Sequence, residues 1–384
     1  MKTQITRAQL AVANGAVKGL VSKDGASPFS RVRLDVVGPN VSLTGSNGDM
    51  QIEYRVEGET SEDGTLALPG GLLGRFVDAM PEGIVDFDGE AGKKMKIAGD
   101  AGVTFRLAAG SALDYPVMAG PKAGCGGIDV GAATLKEMLR KVKFAAEPDG
   151  SSRANLCGVN MKFKDEKLEM TATDGRRLAH VENDIGPSAD CPKAPDNGVK
   201  GPEFVIILSN KTVNMLFALL GGNDEYITIH ADSIAARFTA DKWNLTTKVV
   251  DGKYPEWQRV VPEKPEHTAK IDRGSFLAAL GRAALATSED NAVKVTLKNG
   301  LAKFEARNDL SAASAETILC TIEDGAKATF LFNPKLLKDA LEAIDDDDFT
   351  LGFNGEGVGP VVLKCSIPWL AVVMPMHPAE KKEA

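Results

Sequence analysis

Apolar residues recur at helical spacing over Ile5 to Val21, Ala132 to Ala146 and Gly274 to Thr287, and each stretch is followed by apolar and polar residues alternating around a turn. The alternating pairs are Val32–Val37 with Val41–Thr44, Gly158–Phe163 with Lys167–Ala172, and Val293–Lys298 with Leu301–Ala306. They predict three hairpins. Second helices are predicted at Leu68–Met80, Ser209–Gly221 and Asn333–Ile344, the last two opening on a Ser or Asn able to cap the first turn. Three short strands then close each round, near 84–88, 93–98 and 103–108, near 226–230, 234–239 and 243–250, and near 349–353, 360–365 and 368–374. The succession of helix, hairpin, helix and three strands thus occurs three times. Asn47, Asp174 and Asn308 end the hairpins at equivalent points, 127 and 134 residues apart, a domain-sized period.

Two rounds also finish alike, on Leu113-Asp114-Tyr115-Pro116 and Gly252-Lys253-Tyr254-Pro255. Gly- and Pro-bearing connections at Ala119–Gly127 and Val261–Pro265 put domain boundaries near 125 and 262, giving domains 1–125, 126–262 and 263–384. The segment from Ile185 to Pro202, rich in Pro, Gly and Asp, reads as a surface loop inside the second. With two helices on a mostly antiparallel sheet in each round, the expected fold class is α+β with a threefold internal repeat.

Charge adds a second pattern. The 384 residues carry a net charge of −8, yet the six helical stretches, with the first extended to Lys23, sum to +8 and leave −16 elsewhere. A uniformly basic, nucleic-acid-coating surface is excluded, but a positive helical face on an acidic protein suits a polyanion held by sequence-independent phosphate contacts. Basic residues decorating solvated helices would give the same sum.

Catalytic chemistry finds little support. His180, His230, His267 and His377 have no Ser, Cys or carboxylate at a recognised spacing, and neither HExxH nor GxSxG occurs. Gly89 to Lys94 lacks the spacing of a phosphate loop. Asp345–Asp348 lacks the Gly and distal Glu of a calcium loop and reads as a solvated turn; no cofactor or metal is expected. Cys125, Cys157, Cys191, Cys320 and Cys365 are odd in number and scattered, which fits reduced thiols in a cytoplasm. The first residues show no signal-peptide pattern, and no window approaches the roughly 18 apolar residues of a membrane helix.

Three stretches carry a resemblance: Thr171-Ala-Thr173-Asp174-Gly175-Arg176-Arg177-Leu178-Ala179, Asp251-Gly252-Lys253-Tyr254-Pro255-Glu256-Trp257-Gln258-Arg259-Val260-Val261-Pro262, and Val372-Val373-Met374-Pro375-Met376. In this order, within a threefold repeat, they resemble the bacterial DNA sliding clamp, the beta subunit of DNA polymerase III, from Met1 to about His377. The resemblance implies a non-enzymatic processivity factor, a homodimeric head-to-tail ring whose helices surround duplex DNA. It implies partners in the DNA polymerase III alpha subunit, the clamp loader, other polymerases and repair proteins, and no membrane.

Carried over by position, it implies a peptide pocket between the second and third domains. Leu156, Thr173, Gly175, Arg177 and Leu178 would come from the first stretch and its surroundings, Pro255, Arg259 and Val260 from the second, Asn333 and Leu336 from the last helix, and Val373, Met374, Pro375 and Met376 from the chain's end. Leu, Val, Pro and adaptable Met suit Leu or Phe anchors, while Arg and Asn suit a peptide backbone. The alternative for Leu156, Leu178 and Val260, weaker than the pocket reading, is ordinary core. DNA contact is assigned to Lys18, Lys23, Lys136, Arg140, Arg153 and Lys211, and the ring interface to Val103, Phe105 and Leu107 against Leu285 and Ala286. Departures from better-known members are Ala154 and Asn155 where aromatics stand, no aromatic near Asp290 or Asn291, and a tail, Ala379–Ala384, after His377-Pro378. The competing readings are a monomeric peptide-binding adaptor, which leaves the charge segregation unexplained, and a metal-dependent nuclease built on Asp345–Asp348.

Overall fold

A computed structural model describes the chain except residues 26, 123–124, 186–202, 222–224, 263, 288–291, 309–311, 324, 356, 358 and 377–384. Almost all of the expected loop from Ile185 to Pro202, Cys191, the positions of the missing aromatic at Asp290 and Asn291, and the tail from His377 lie outside the described residues.

The six expected helices are α1 Arg7–Lys18, α2 Gly70–Ala79, α3 Ala132–Val142, α4 Asn210–Leu219, α5 Arg273–Ala284 and α6 Pro334–Glu342. Four start one or two residues after the expected stretch, α3 starts with it and α5 one residue before it, and a strand runs straight into each. Lys2–Thr6 precedes α1, Gly64–Pro69 α2, Gly127–Gly131 α3, Phe204–Ser209 α4, His267–Asp272 α5 and Lys327–Phe332 α6. The switch from strand to helix falls on a capping residue in three clear cases. Thr6 accepts from the Gln9 amide at 3.3 Å, Asp272 from Ser275 at 2.7 Å and Asn333 from Lys335 at 3.0 Å. Ser209 likewise accepts from the Thr212 amide at 3.2 Å.

A third strand also extends each expected hairpin: Met50–Glu57, Arg177–Asp184 and Ala313–Leu319. With the closing strands, among them Ile84–Asp88, Tyr226–Ala231 and Asp348–Phe353, the pattern becomes strand, helix, three strands, repeated six times. The threefold repeat of the sequence is itself doubled.

The chain divides into two compact units that cut across the second repeat. One holds Met1–Ala133, Gly186–Phe204 and Ala218–Val249; the other holds Thr134–Ile185, Val205–Phe217 and Val250–Ala384. In the first, a nine-stranded sheet crosses from the first repeat to the second where Met50–Glu57 pairs antiparallel with Trp243–Lys248. A five-stranded sheet ends on Thr104–Ala108. In the second, another nine-stranded sheet crosses from repeat to repeat where Arg177–Asp184 pairs with Trp369–Val373. A four-stranded sheet there ends on Ala313–Leu319.

The helices bury one stripe each. In α1 this is Leu10, Ala13, Asn14 and Val17, at the i, i+3, i+4, i+7 spacing. In α5 Phe276 is fully buried, edge-on to Phe304 at 4.8 Å and to Phe349 at 5.3 Å.

Candidate partner pocket and phosphate-facing cations

The second unit gathers most of the expected pocket around one tight turn. Asp174 Oδ1 accepts from the amides of Arg176 at 2.8 Å and Arg177 at 2.9 Å, and Thr173 Oγ1 donates to the Arg177 carbonyl at 2.6 Å. Gly175 sits at φ +83°, and a Cβ there would lie 2.8 Å from Arg153 Nη1. Arg153 closes the turn from the side, donating to the Asp174 carbonyl at 2.9 Å and to Glu147 at 2.7 Å, which holds the Glu147 carboxyl below its ordinary pKa.

The chain's last described residues cross beside this turn. Arg177 and Leu178 stand opposite Val373 and Val372, the Met374 amide donates to the Arg176 carbonyl at 2.8 Å, and the Met376 amide donates to Leu331 at 2.7 Å. Met374-Pro375-Met376 is therefore fastened at both ends, between the turn and the strand that leads into α6. That brings Asn333 and Leu336 toward Thr173–Leu178. Trp257 and Val261 pack on the buried cluster of Leu178, Val362 and Val372, which brings in the segment carrying Pro255, Arg259 and Val260. Leu156 belongs to a separate cluster with Ile207 and Tyr254.

Burial sorts these residues into two kinds. Leu156, Leu178 and Val373 are 7%, 2% and 1% exposed, core residues that support the site from beneath. Val260, at 49%, and Met374, at 39%, expose apolar surface, and Pro255 and Arg259 are exposed too, Arg259 pairing with Glu256. Several neighbours lie outside the expected pocket set. Trp257 lies tilted against His180, ring centroids 4.1 Å apart; His180 bonds Thr171 at 2.9 Å, and burial pushes its pKa down to about 4. Asp339 reaches Arg177 from α6 at 2.6 Å; its position three residues after Leu336, on the same helix face, was the available clue.

The six expected DNA contacts fall into three groups. Lys18, Lys23 and Lys211 are exposed and make no ion pair among the described residues. Lys18 and Lys23 line an open cavity of about 590 Å³ in the first unit together with Arg31 and Arg75, two cations the sequence reading did not single out. Lys136 lies 5.1 Å from the Phe217 ring, which Lys143 also covers at 3.8 Å. Arg140 and Arg153 are bound by carboxylates. The Arg140 Nε and Nη2 hold Glu137 at 2.7 and 2.6 Å, and Nη2 also holds Asp345 at 2.6 Å.

Beside Arg140, Lys141 is 1% exposed, donating to the Ala343 carbonyl at 2.6 Å and to Asp345 at 2.7 Å. The expected solvated turn at Asp345–Asp348 does expose Asp345 and Asp347, and it is also tied into the fold. Asp346 takes the Ser366 amide and hydroxyl, the Asp347 carbonyl takes the Arg273 amide, and Asp348 pairs with Lys270 at 2.9 Å. Among the described residues no group of His, Cys, Asp and Glu is placed to hold a metal ion.

Of the expected ring-interface residues, Leu107 and Ala286 are buried within the chain's own core, and Phe105 stacks on Phe76 at 4.1 Å. The exposed surface is Leu285, at 85%, and, missed by the sequence reading, Leu319, at 80%, on the outer strand Ala313–Leu319.

Family models for the N-terminal, central and C-terminal domains of the DNA polymerase III beta subunit match residues 1–119, 129–256 and 258–376. The chain belongs to the DNA polymerase III beta subunit family. Curated relatives include the beta sliding clamps of Staphylococcus epidermidis, 25% identical over 91% of this chain and 92% of that one, and of Synechocystis sp., 27% identical over 83% of each. A Pseudomonas aeruginosa sliding clamp superposes with TM-score 0.89 at 25% identity, covering 98% of this chain and all of that one. The Thermotoga maritima beta subunit, 22% identical, shares the fold with TM-score 0.85 over 98% of this chain and 100% of that one. The sliding clamp is a non-catalytic processivity factor for DNA polymerase, and that is the function of this chain. No helix of the described residues is long and apolar enough to cross a membrane.

Proposed function

We propose that two copies of this chain close head to tail into a ring around duplex DNA in the cytoplasm, and that the turn, the Met374–Met376 segment and α6 capture short peptides of its partners. The partners meant are the DNA polymerase III alpha subunit, the clamp loader, other polymerases and repair proteins. The observation that carries the reading is the double fastening of Met374-Pro375-Met376 between Arg176 and Leu331, which holds the exposed Met374 on a hydrogen-bonded frame in the unit that also exposes Val260. Two outer strands, Thr104–Ala108 in the first unit and Ala313–Leu319 in the second, are sheet ends that a second copy would pair; Leu319 ends the second of them, and Leu285 is exposed in the same unit. Domains bounded near 125 and 262 remain part of this reading.

The free cations of the first unit would touch phosphates weakly and interchangeably, as sliding demands. The test is topological. Clamp loaded on a nicked circle should stay bound through a high-salt wash and leave when the circle is linearised. Equal retention on linear and circular DNA would refute a ring.

A further inference from the structure

Within the pocket, the Arg177 guanidinium is held from three sides by groups that the pocket motifs do not include as partners. Its Nε donates to Asp174 Oδ2 at 3.1 Å, its Nη1 donates to Asp339 Oδ2 at 2.6 Å, and its central carbon lies 5.5 Å from the Phe144 ring centroid. The side chain is 11% exposed. A guanidinium carries five N–H donors in a planar fork, and Nη2 has no partner among the described residues.

The two carboxylates have different origins. Asp174 sits in the same turn as Arg177, so it steadies only the near end of the fork. Asp339 comes from α6, one turn beyond Leu336, and joins the far end to the helix whose first turn carries Asn333 and Leu336. Planarity then leaves the fork no freedom to rotate, and a bidentate frame of this kind removes rotamer entropy before any partner arrives. Two carboxylates against one guanidinium also give the triad a net charge of −1. That surplus disfavours an acidic partner side chain at Nη2 and suits a neutral carbonyl.

We infer that Asp339 is a positioning residue for partner capture: it fixes Arg177 so that Nη2 stands ready to donate to a backbone carbonyl of an extended peptide lying against Val260 and Met374. The inference rests on the pocket reading above. Removing Asp339 should not release α6, because the far end of that helix is held separately, where Lys141 grips the Ala343 carbonyl and Asp345.

The test uses the full chain and a fluorescent synthetic peptide with adjacent Leu and Phe anchors, read by anisotropy. Wild type should bind, Asp339→Asn should weaken binding about 5- to 10-fold, and Asp339→Glu should recover most of the loss. Against an Arg177→Ala background, Asp339→Asn should change the affinity by less than about twofold, because the group it positions is gone. An unchanged affinity in Asp339→Asn overturns the inference. So does an equal loss in both backgrounds, which would mean that Asp339 acts through the fold and not through Arg177. Wild type that binds no such peptide overturns the pocket reading itself and the inference with it, a result distinct from the other two.

Discussion

The cations around Lys18 and those around Lys141 are alike in sequence, since both are basic residues at the ends of amphipathic helices, yet the fold gives them opposite electrostatic fates. In the first unit Lys18, Lys23, Arg31 and Arg75 share an open cavity in which Asp78 is the only lining carboxylate among the described residues. In the second, Arg140 and Lys141 share Asp345 and Glu137, and Lys141 is almost wholly buried. The same sign of charge stands open to solvent in one place and is consumed as an ionic tie between α3 and the end of α6 in the other. The helical excess of positive charge therefore overstates what the chain offers to DNA, because ion pairs in α3 cancel part of it.

The contrast breaks most visibly at Asp345. Asp345→Ala leaves the buried Lys141 with the Ala343 carbonyl and a 3.4 Å approach to Glu137, and should cost about 3 kcal/mol or more in denaturant unfolding. A loss below about 1 kcal/mol would mean that the tie is ornamental.

A second buried titratable group of the same unit sharpens the point. His180 is neutral in the fold, with its pKa lowered to about 4 by burial against an ordinary value of 6.5. Above pH 6.5 it binds no proton in either state. Between pH 6.5 and about 4 the unfolded chain takes up a proton that the fold refuses, so stability falls as pH falls, by up to about 3 kcal/mol. The difference between wild type and His180→Phe, followed by unfolding at pH 7 and pH 4.5, should show that slope. Parallel pH profiles for the two proteins would contradict it.

In the first unit the expectation reverses. Replacing Lys18, Lys23 and Arg75 with Ala should change stability by less than about 0.5 kcal/mol for each. It should weaken DNA binding at every sequence and lower the slope of log affinity on log salt by about 2 to 3. An unchanged slope would remove this cavity from the DNA-facing surface. The smallest effect is expected at Lys136, whose stacking on Phe217 is worth about 0.5–1 kcal/mol; Lys136→Ala should lower the melting temperature slightly, and no change at all would count against that contact.

The legible part of the fold was whatever a period could carry. Alternation located Ile84–Asp88, Val293–Lys298 and Leu301–Arg307 almost to the residue, because each strand has one buried face. The strands feeding the helices were hidden. Lys2–Thr6 passes into α1 through the capping side chain of Thr6 with no Gly or Pro to mark the change, so the helical pattern took in Ile5 and Thr6; His267–Asp272, which passes into α5 through Asp272, lay outside every expected element. Met50–Glu57 and Ala313–Leu319 were missed because partly exposed polar residues dilute their alternation.

In the site, the motifs named the residues but not their partners. Arg140 and Asp345 lie 205 residues apart, and Arg177 and Asp339 lie 162 apart. No local spacing encodes such pairs. Sequence therefore gave the sign of each charge, and only the tertiary fold decided whether that charge stays free.

A ring of two chains is tested most directly by the mass in solution, measured by light scattering through dilution to nanomolar protein. A stable species of about 81 kDa, twice the 40.6 kDa of one chain, is expected. A species that remains at 40.6 kDa even at micromolar protein would contradict it.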